Sequence, residues 1–245
     1  MIGKGYYDED VVAAIATGLD NFYTQLIKNI DALDIKKIMS RKNPYLYRAK
    51  AMNSASDIVD SVLAATVSSS EETIFGNCFF EPLAIAASGG RKALAEGIDI
   101  MIQDDNTKTI YAVAVKSGPS VFNADSKKRQ EENFNAAAKL AQQAKYRYVP
   151  VIGYGYGKRK NSGRGKPKIY AELAGKAFWE ELTGEEDFYL RILQHMGMLP
   201  EKYLEEFTAS YDRAANRLVR EFSNLFCLED GTIDWNALVE FNSGD

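Results

Sequence analysis

Hydrophobic residues recur at steps of three and four along the first third of the chain. The stripe consists of Val11, Ile15, Leu19, Phe22, Leu26, Ile30 and Leu33. This spacing gives a long helix one apolar side, because three to four residues complete a helical turn. A second apolar group between Ile58 and Leu63 predicts another helix, after the break that Asn43-Pro44 imposes.

A third helix is predicted from the polar run Ser68-Ser69-Ser70-Glu71-Glu72, in which a serine is followed three residues later by a glutamate. This arrangement is typical of a capping box at a helix N-terminus. The helix should continue through Phe79. Pro82 should then kink or end it just after Glu81, because proline lacks a backbone donor.

From Gly97 onward the pattern changes to β-branched and aromatic residues. Segments 97–102 and 109–115 flank the turn-like Asp104-Asp105-Asn106, which predicts a β-hairpin. An alanine-rich helix from about 124 to 144, a strand at 148–152 and a short strand at 169–171 follow. The rest of the chain predicts helices near Phe178-Trp179, from 188 to 196 and from about 201 to 226.

These elements predict an α/β fold with a mixed central β-sheet flanked by helices and with helical additions at both ends. A chain of 245 residues is long enough for one large domain with a sizeable core. We therefore expect a single domain with three parts: a helical part over 1–70, a core over 71–172 and a helical part over 173–245.

The composition restricts the chemistry that the chain can perform. No apolar run reaches the roughly 18 residues that a membrane span needs, and the first residues lack an apolar signal segment. Cys78 and Cys227 are the only cysteines, which excludes a disulfide framework and a four-cysteine zinc site. The single histidine, His195, excludes metal sites with two histidines. Catalysis would then depend on carboxylates, lysine and a hard metal ion.

Charge is segregated along the chain. Overall there are 30 Lys and Arg against 34 Asp and Glu, and the pI is about 5.3, which by itself argues against a nucleic-acid-binding protein. One segment of eleven residues, 158–168, nevertheless holds six cations and no acid. It is either a solvated surface loop or a contact for phosphates.

Asp99 and Lys116 are the most informative charged residues. Asp99 lies between Ile98 and Ile100, where a carboxylate is costly unless a cation or donors satisfy it. Lys116 ends the next apolar strand, just before a Ser-Gly-Pro turn. If the two strands pair as a hairpin, these side chains lie near the same end of the sheet. A carboxylate and a lysine held together suit metal-assisted hydrolysis of a phosphodiester.

The segments around these residues resemble a known group of enzymes. Gly97-Ile98-Asp99, followed at position 115 by Val115-Lys116-Ser117-Gly118-Pro119, is similar to the core of the PD-(D/E)XK nuclease superfamily, and within it to type II restriction endonucleases. The segments 43–50, 68–76 and 178–184 also resemble such enzymes. The resemblance covers roughly residues 40 to 200 and implies a restriction-endonuclease-like core.

The resemblance implies a function and a set of roles. The chain would be a Mg²⁺-dependent, sequence-specific endonuclease that cleaves double-stranded DNA and leaves 5′-phosphates. It would act as a homodimer in a prokaryotic cytoplasm. Asp99 would bind the metal, with the backbone carbonyl of Val115 as a further ligand, and Lys116 would position the attacking water.

One position departs from the family pattern. The acid expected two residues before the lysine is replaced by Ala114. The missing carboxylate would have to come from elsewhere, and we expect it from Glu81, on the helix before the Asp99 strand. Glu131 and Glu132, on the helix after Lys116, are the alternatives.

Several residues beyond this core could contact phosphates or bases. The expected DNA-binding residues are Ser117, Asn123, Lys127, Lys158, Arg159, Lys160 and Arg164. Two other functions remain open. One is a DNA-binding protein that lost its catalysis with the acid at position 114, and the other is a structure-specific or repair nuclease.

Overall fold

The structure is a computed structural model that describes residues 1–158 and 168–244. Contacts group the chain into two compact units. Residues 1–22 and 73–200 form the unit that contains the β-sheet, called the sheet unit below. Residues 23–72 and 201–245 form the other, called the helical unit. The expectation of a single domain in three parts stays a prediction.

The sheet has five strands in the order β1-β2-β3-β4-β5. They are β1 Arg91–Lys92, β2 Ile100–Asp104, β3 Thr109–Lys116, β4 Arg147–Tyr154 and β5 Ala171–Ala174. The first three strands pair antiparallel, and β3, β4 and β5 pair in parallel. This arrangement confirms the mixed central sheet and the hairpin predicted around residues 97–115.

Ten α-helices are present in the described part of the chain. They are α1 Asp8–Asp31, α2 Ile35–Met39, α3 Pro44–Ala49, α4 Ala55–Phe75, α5 Glu81–Ser88, α6 Ala124–Gln143, α7 Lys176–Thr183, α8 Phe188–Met196, α9 Leu204–Phe226 and α10 Trp235–Ser243. Helices α1, α6, α8 and α9 confirm the helices expected in these regions. No described helix is both apolar enough and long enough to cross a bilayer.

The two faces of the sheet bury different elements, because successive side chains of a strand point to opposite faces. On one face, Ala114 and Ile152 pack in a cluster with Phe134 of α6. On the other face, Gly153 approaches α7 so closely that a Cβ there would lie 2.0 Å from the Phe178 ring. The sheet is therefore covered by helices on both sides, and Lys116 extends from the face that carries α6.

The predicted start of the third helix and its predicted break after Glu81 are both wrong. Ser68 and Glu72 lie inside the continuous helix α4, so they cap nothing. The chain then forms a π-helical turn over Gly76–Phe80, and α5 begins at Glu81. Pro82 is tolerated because it lies in the first turn of α5, where its missing donor has no partner to lose.

The short strand predicted at 169–171 is displaced toward the C-terminus. The observed β5 pairs Val151 with Ala171 and Tyr154 with Ala174. Partner strand β4 sets this register, which local composition does not encode.

The helical unit has its own apolar core. Leu26 and Ile30 of α1 are almost completely buried, as are Met39 of α2 and Phe222 of α9. Each such side chain contributes about 1.5–3 kcal/mol relative to an exposed one. The polar contacts in this core are also specific: the Arg217 guanidinium donates to the Leu33 carbonyl at 2.7 Å.

Candidate active site

Asp99 and Lys116 meet at the open end of the hairpin. The backbone amide of Val115 donates to Asp99 Oδ2 at 2.7 Å, and Lys116 Nζ lies 3.6 Å from the same oxygen. Lys116 Nζ also donates to the Val115 carbonyl at 3.0 Å. The two side chains are partly accessible, with exposed fractions of 20% and 30%. The hairpin thus brings together the carboxylate and the lysine predicted from the sequence.

The loop before Asp99 is held by α6. Gly97 has a φ of 70°, which favours glycine, and its carbonyl accepts a hydrogen bond from Gln130 Nε2 at 2.6 Å. A Cβ at Gly97 would lie 2.2 Å from Asn133 Nδ2. Gln130 and Asn133 therefore fix the backbone of the loop that leads to Asp99. The sequence analysis missed both, although Gln130 lies one turn before the apolar Phe134 and so on the same side of the helix.

We expect Gly97→Ala to lower the free energy of unfolding and to impair any activity that depends on Asp99. The left-handed conformation costs an alanine about 1–2 kcal/mol, and the contact with Asn133 adds about 1–3 kcal/mol. Gly231→Ala is the matched control, because Gly231 has a φ of 84° but nothing within 4 Å of an added Cβ. Chemical denaturation of both variants measures the difference. Equal destabilisation of both variants would contradict a role for the contact with α6.

Glu81 forms an ion pair with Lys92 of the edge strand β1. Its carboxylate accepts a hydrogen bond from Lys92 Nζ at 2.5 Å, and β1 pairs Lys92 with Ile100, next to Asp99. The pKa of Lys92 is raised, first by this hydrogen bond, then by the charge of Glu81 and more weakly by that of Asp99. Lys92 is thus a further cation near Asp99 in the strand pairing, and the sequence analysis missed it.

The two alternative acids differ in their surroundings. Glu131 is half-buried on the side of α6 that faces the sheet, where it accepts a long hydrogen bond of 3.4 Å from the Tyr170 hydroxyl. Glu132 is exposed and lies 3.9 Å from Lys128. A surface pair of this kind contributes little to stability.

The residues expected to bind DNA lie in three settings. Ser117 follows β3 directly and packs against Gly76. A Cβ added at Gly76 would lie 2.1 Å from the Ser117 Oγ. Asn123 caps α6 by accepting from the Ser126 amide at 2.8 Å, and Lys127 is half-buried in the next turn. Lys158 is exposed. Three of the expected residues lie outside the described part of the chain: Arg159, Lys160 and Arg164.

An apolar groove of about 820 Å³ opens at the carboxyl ends of β4 and β5. Its walls include Phe80, Tyr156 and Lys158. The groove adjoins the end of β3, because the Tyr156 amide donates to the Ser117 carbonyl at 2.9 Å. Tyr156 is 47% exposed, whereas Tyr154 is fully buried and belongs to the core. Of these two tyrosines, only Tyr156 is accessible.

A buried carboxylate beside the site was also missed by the sequence analysis. Glu172 of β5 has a side chain only 4% exposed, and it forms an ion pair with Lys168. The Tyr154 hydroxyl donates to Glu172 at 3.1 Å, and Tyr154 is the strand partner of Lys116. Such a residue needs partners when it is buried. Glu172 therefore anchors the C-terminal end of the basic segment 158–168 at Lys168.

The donors at Asp99 suit Mg²⁺. Within residues 1–158 and 168–244, no group of three or more His, Cys, Asp and Glu side chains forms a complete metal site. Mg²⁺ in phosphate-processing sites commonly uses only one or two carboxylates and takes its other ligands from water and phosphate. The Asp99 carboxylate and the Val115 carbonyl are hard oxygen donors, and Lys116 contacts both. This pair of donors fits such an ion.

The model of the type II restriction endonuclease EcoO109I family matches residues 9–202. The chain belongs to this family. It is therefore one of a class of enzymes that cleave DNA. The matched range includes the whole hairpin, the helices α5 and α6 and the groove-lining residues of α7 and α8. No curated protein matches the chain.

Proposed function

We propose that this member of the EcoO109I family is a Mg²⁺-dependent, sequence-specific endonuclease that hydrolyses double-stranded DNA. The observation that carries the proposal is the contact of Asp99 and Lys116 with opposite ends of the same residue. Asp99 accepts from the Val115 amide, and Lys116 donates to the Val115 carbonyl. The carboxylate of Asp99, the carbonyl of Val115 and the ammonium of Lys116 are thereby held close together at the end of the sheet.

The proposed roles follow from these atoms. Asp99 and the Val115 carbonyl would hold Mg²⁺, which would lower the pKa of water and neutralise charge on the phosphate. Lys116 orients the attacking water and stabilises the negative charge that develops on the phosphate oxygens. Water attacks the phosphorus, the bond to the 3′ oxygen breaks, and the products are a 5′-phosphate and a 3′-hydroxyl.

Glu81 supplies the second carboxylate in place of the acid absent at Ala114. Its contact with Lys92, whose strand partner Ile100 directly follows Asp99, supports this assignment. Lys92 is 70% exposed, so its ion pair would leave the Glu81 carboxylate available to hold a metal ion. A surface ion pair of this kind is weak enough to be exchanged.

Digestion of phage DNA tests the proposal against its alternatives. The protein is incubated with the DNA in Mg²⁺ or in EDTA, and the products are separated on a gel. Discrete bands in Mg²⁺ alone support a sequence-specific endonuclease. A gel shift without cutting identifies a DNA-binding protein without catalysis, and Mg²⁺-dependent degradation without defined bands identifies a structure-specific or repair nuclease.

We further propose that the enzyme acts as a homodimer. Two-fold symmetry matches a palindromic site, and two active sites allow both strands to be cut. Analytical ultracentrifugation gives the mass in solution, for which 27.3 kDa is the value of a single chain. A monomer that stays a monomer on DNA would contradict this assignment.

The basic segment 158–168 should carry affinity that does not depend on sequence. Replacing Lys158, Arg159 and Lys160 together by glutamine should weaken binding to all duplexes. The slope of log affinity against log salt should fall by roughly 0.9 for each phosphate that the protein no longer neutralises. Fluorescence anisotropy at several salt concentrations measures this slope. A changed recognition sequence at unchanged affinity would instead assign the segment to base recognition.

A further inference from the structure

A second concentration of positive charge lies in the helical unit. This unit is acidic overall, with eleven Lys and Arg against sixteen Asp and Glu. Six of its cations nevertheless fall within residues 35–50, which contain no acid. They are Lys36, Lys37, Arg41, Lys42, Arg48 and Lys50. We call α2, α3 and these six residues the basic helix pair.

The packing of the basic helix pair turns its cations outward. The apolar residues of α2, Ile35, Ile38 and Met39, are buried. In α3 the buried residues are Pro44 and Tyr47. The cations occupy the remaining positions: five of the six are exposed and Lys42 is half-buried. The outer surface of both helices is therefore basic.

None of these cations forms an ion pair with a residue of the described chain. Elsewhere in the same unit, Arg217 pairs with Glu221 of its own helix at 3.8 Å. Arg48 has a different partner: its guanidinium lies 5.4 Å from the centre of the Trp235 ring. The charge of the basic helix pair is thus left uncompensated by the unit's own acids.

The backbone of the basic helix pair is held firmly. Asp34 caps α2 by accepting from the Lys36 amide at 2.8 Å, and Asn43 caps α3 by accepting from the Tyr45 amide at 3.0 Å. The Asn242 side chain of α10 donates to the carbonyls of Met39 and Lys42 at 3.0 and 2.8 Å. A fixed backbone reduces the entropy lost when the cations bind a polyanion.

We propose that the basic helix pair binds the phosphate backbone of duplex DNA, as a contact additional to the segment 158–168. The inference rests on the proposed function for its choice of polyanion. Closely spaced, uncompensated lysine and arginine residues on short helices suit phosphates, which carry one charge per roughly 1.7 Å of duplex. The contact supplies affinity and leaves the choice of sequence to other residues.

The test compares two triple variants that remove the same charge from the helical unit. Lys36→Gln, Lys37→Gln and Arg41→Gln neutralise the basic helix pair. Lys28→Gln, Arg213→Gln and Arg220→Gln are the control. The control cations are also exposed, but they are spread over α1 and α9 and are not clustered in one segment. Binding to a labelled duplex of mixed sequence is measured in EDTA by anisotropy over a range of salt concentrations.

We expect the first variant to bind more weakly and to lower the salt slope by up to about 2.7, or roughly 0.9 for each phosphate interaction removed. The control should keep the slope of the unmodified protein. A third variant with Lys36→Arg and Lys37→Arg should also keep it, because the charge is retained. Equal slopes for all variants, or equal weakening in the first variant and the control, would overturn the inference.

The two proposals fail in different ways. Digestion of phage DNA in Mg²⁺ at low salt accompanies each binding measurement. If the first variant binds and cuts like the unmodified protein, the basic helix pair has no role and the endonuclease proposal stands. If the unmodified protein neither binds nor cuts duplex DNA, the proposed function fails, and the inference fails with it.

Discussion

Replacing Lys116 by alanine should abolish DNA cleavage and leave DNA binding nearly unchanged. Lys116 is the only described lysine that contacts both Asp99 and the Val115 carbonyl, so no neighbour can take over the orientation of the water. A group of this kind contributes typically 10²–10⁴-fold to the rate. Binding depends on many cations, of which this substitution removes a single one. Single-turnover cleavage measures the rate, and anisotropy in EDTA measures binding.

Lys128→Ala is the control for this prediction. Lys128 has a side chain 79% exposed and only a distant ion pair with Glu132, so its loss removes the same charge without touching the site. It should cut at nearly the normal rate. Cleavage by Lys116→Ala within a few-fold of the unmodified protein would show that the site is assigned to the wrong residues.

Removing the charge of Asp99 should be as damaging as any substitution in the protein. Asp99→Asn keeps an oxygen that accepts from the Val115 amide, so the hairpin should fold, but it loses the negative charge proposed to hold the metal. We expect cleavage to fall at least about 100-fold, which corresponds to about 2.7 kcal/mol in the barrier. Mn²⁺ affinity by calorimetry should fall in parallel, and thermal unfolding checks the fold.

Comparison of the two candidate acids locates the second carboxylate. Glu81→Ala should impair cleavage as much as Asp99→Ala does. Glu131→Ala should be milder by at least about 1 kcal/mol, or several-fold in rate. The reason is that Glu81 contacts Lys92, whose strand partner Ile100 directly follows Asp99, whereas Glu131 contacts the Tyr170 hydroxyl. An active Glu81→Ala together with an inactive Glu131→Ala would reverse the assignment.

Lys92→Ala separates a catalytic Glu81 from a merely structural one. It removes the ion pair but keeps the carboxylate, so cleavage should persist if Glu81 holds the metal. If the ion pair itself matters, Lys92→Ala and Glu81→Ala will be equally impaired. The thermal midpoint of both variants shows whether the loss of the pair destabilises the sheet unit.

The sequence by itself determined most of the helices and strands and the pair Asp99 and Lys116 in the candidate site. A helix such as α9 depends on side chains three and four positions apart, and these interactions are local enough to predict from spacing. The hairpin was equally predictable, because two β-rich segments flank a short turn. Strand alternation then put Asp99 and Lys116 near one end of the sheet, where they meet. The resemblance to type II restriction endonucleases is confirmed by the family model that matches residues 9–202.

The tertiary structure alone decided the elements and contacts that depend on distant partners. Ser68 and Glu72 are locally typical of a cap, but α4 continues through them and the break falls in the π-helical turn at 76–80. The register of β5 follows from its pairing with β4, which buries Glu172 beside Tyr154. Segments 35–50 and 158–168 are alike in sequence charge. Packing decides which cations find a carboxylate, because ion pairs form between residues that only the fold brings together.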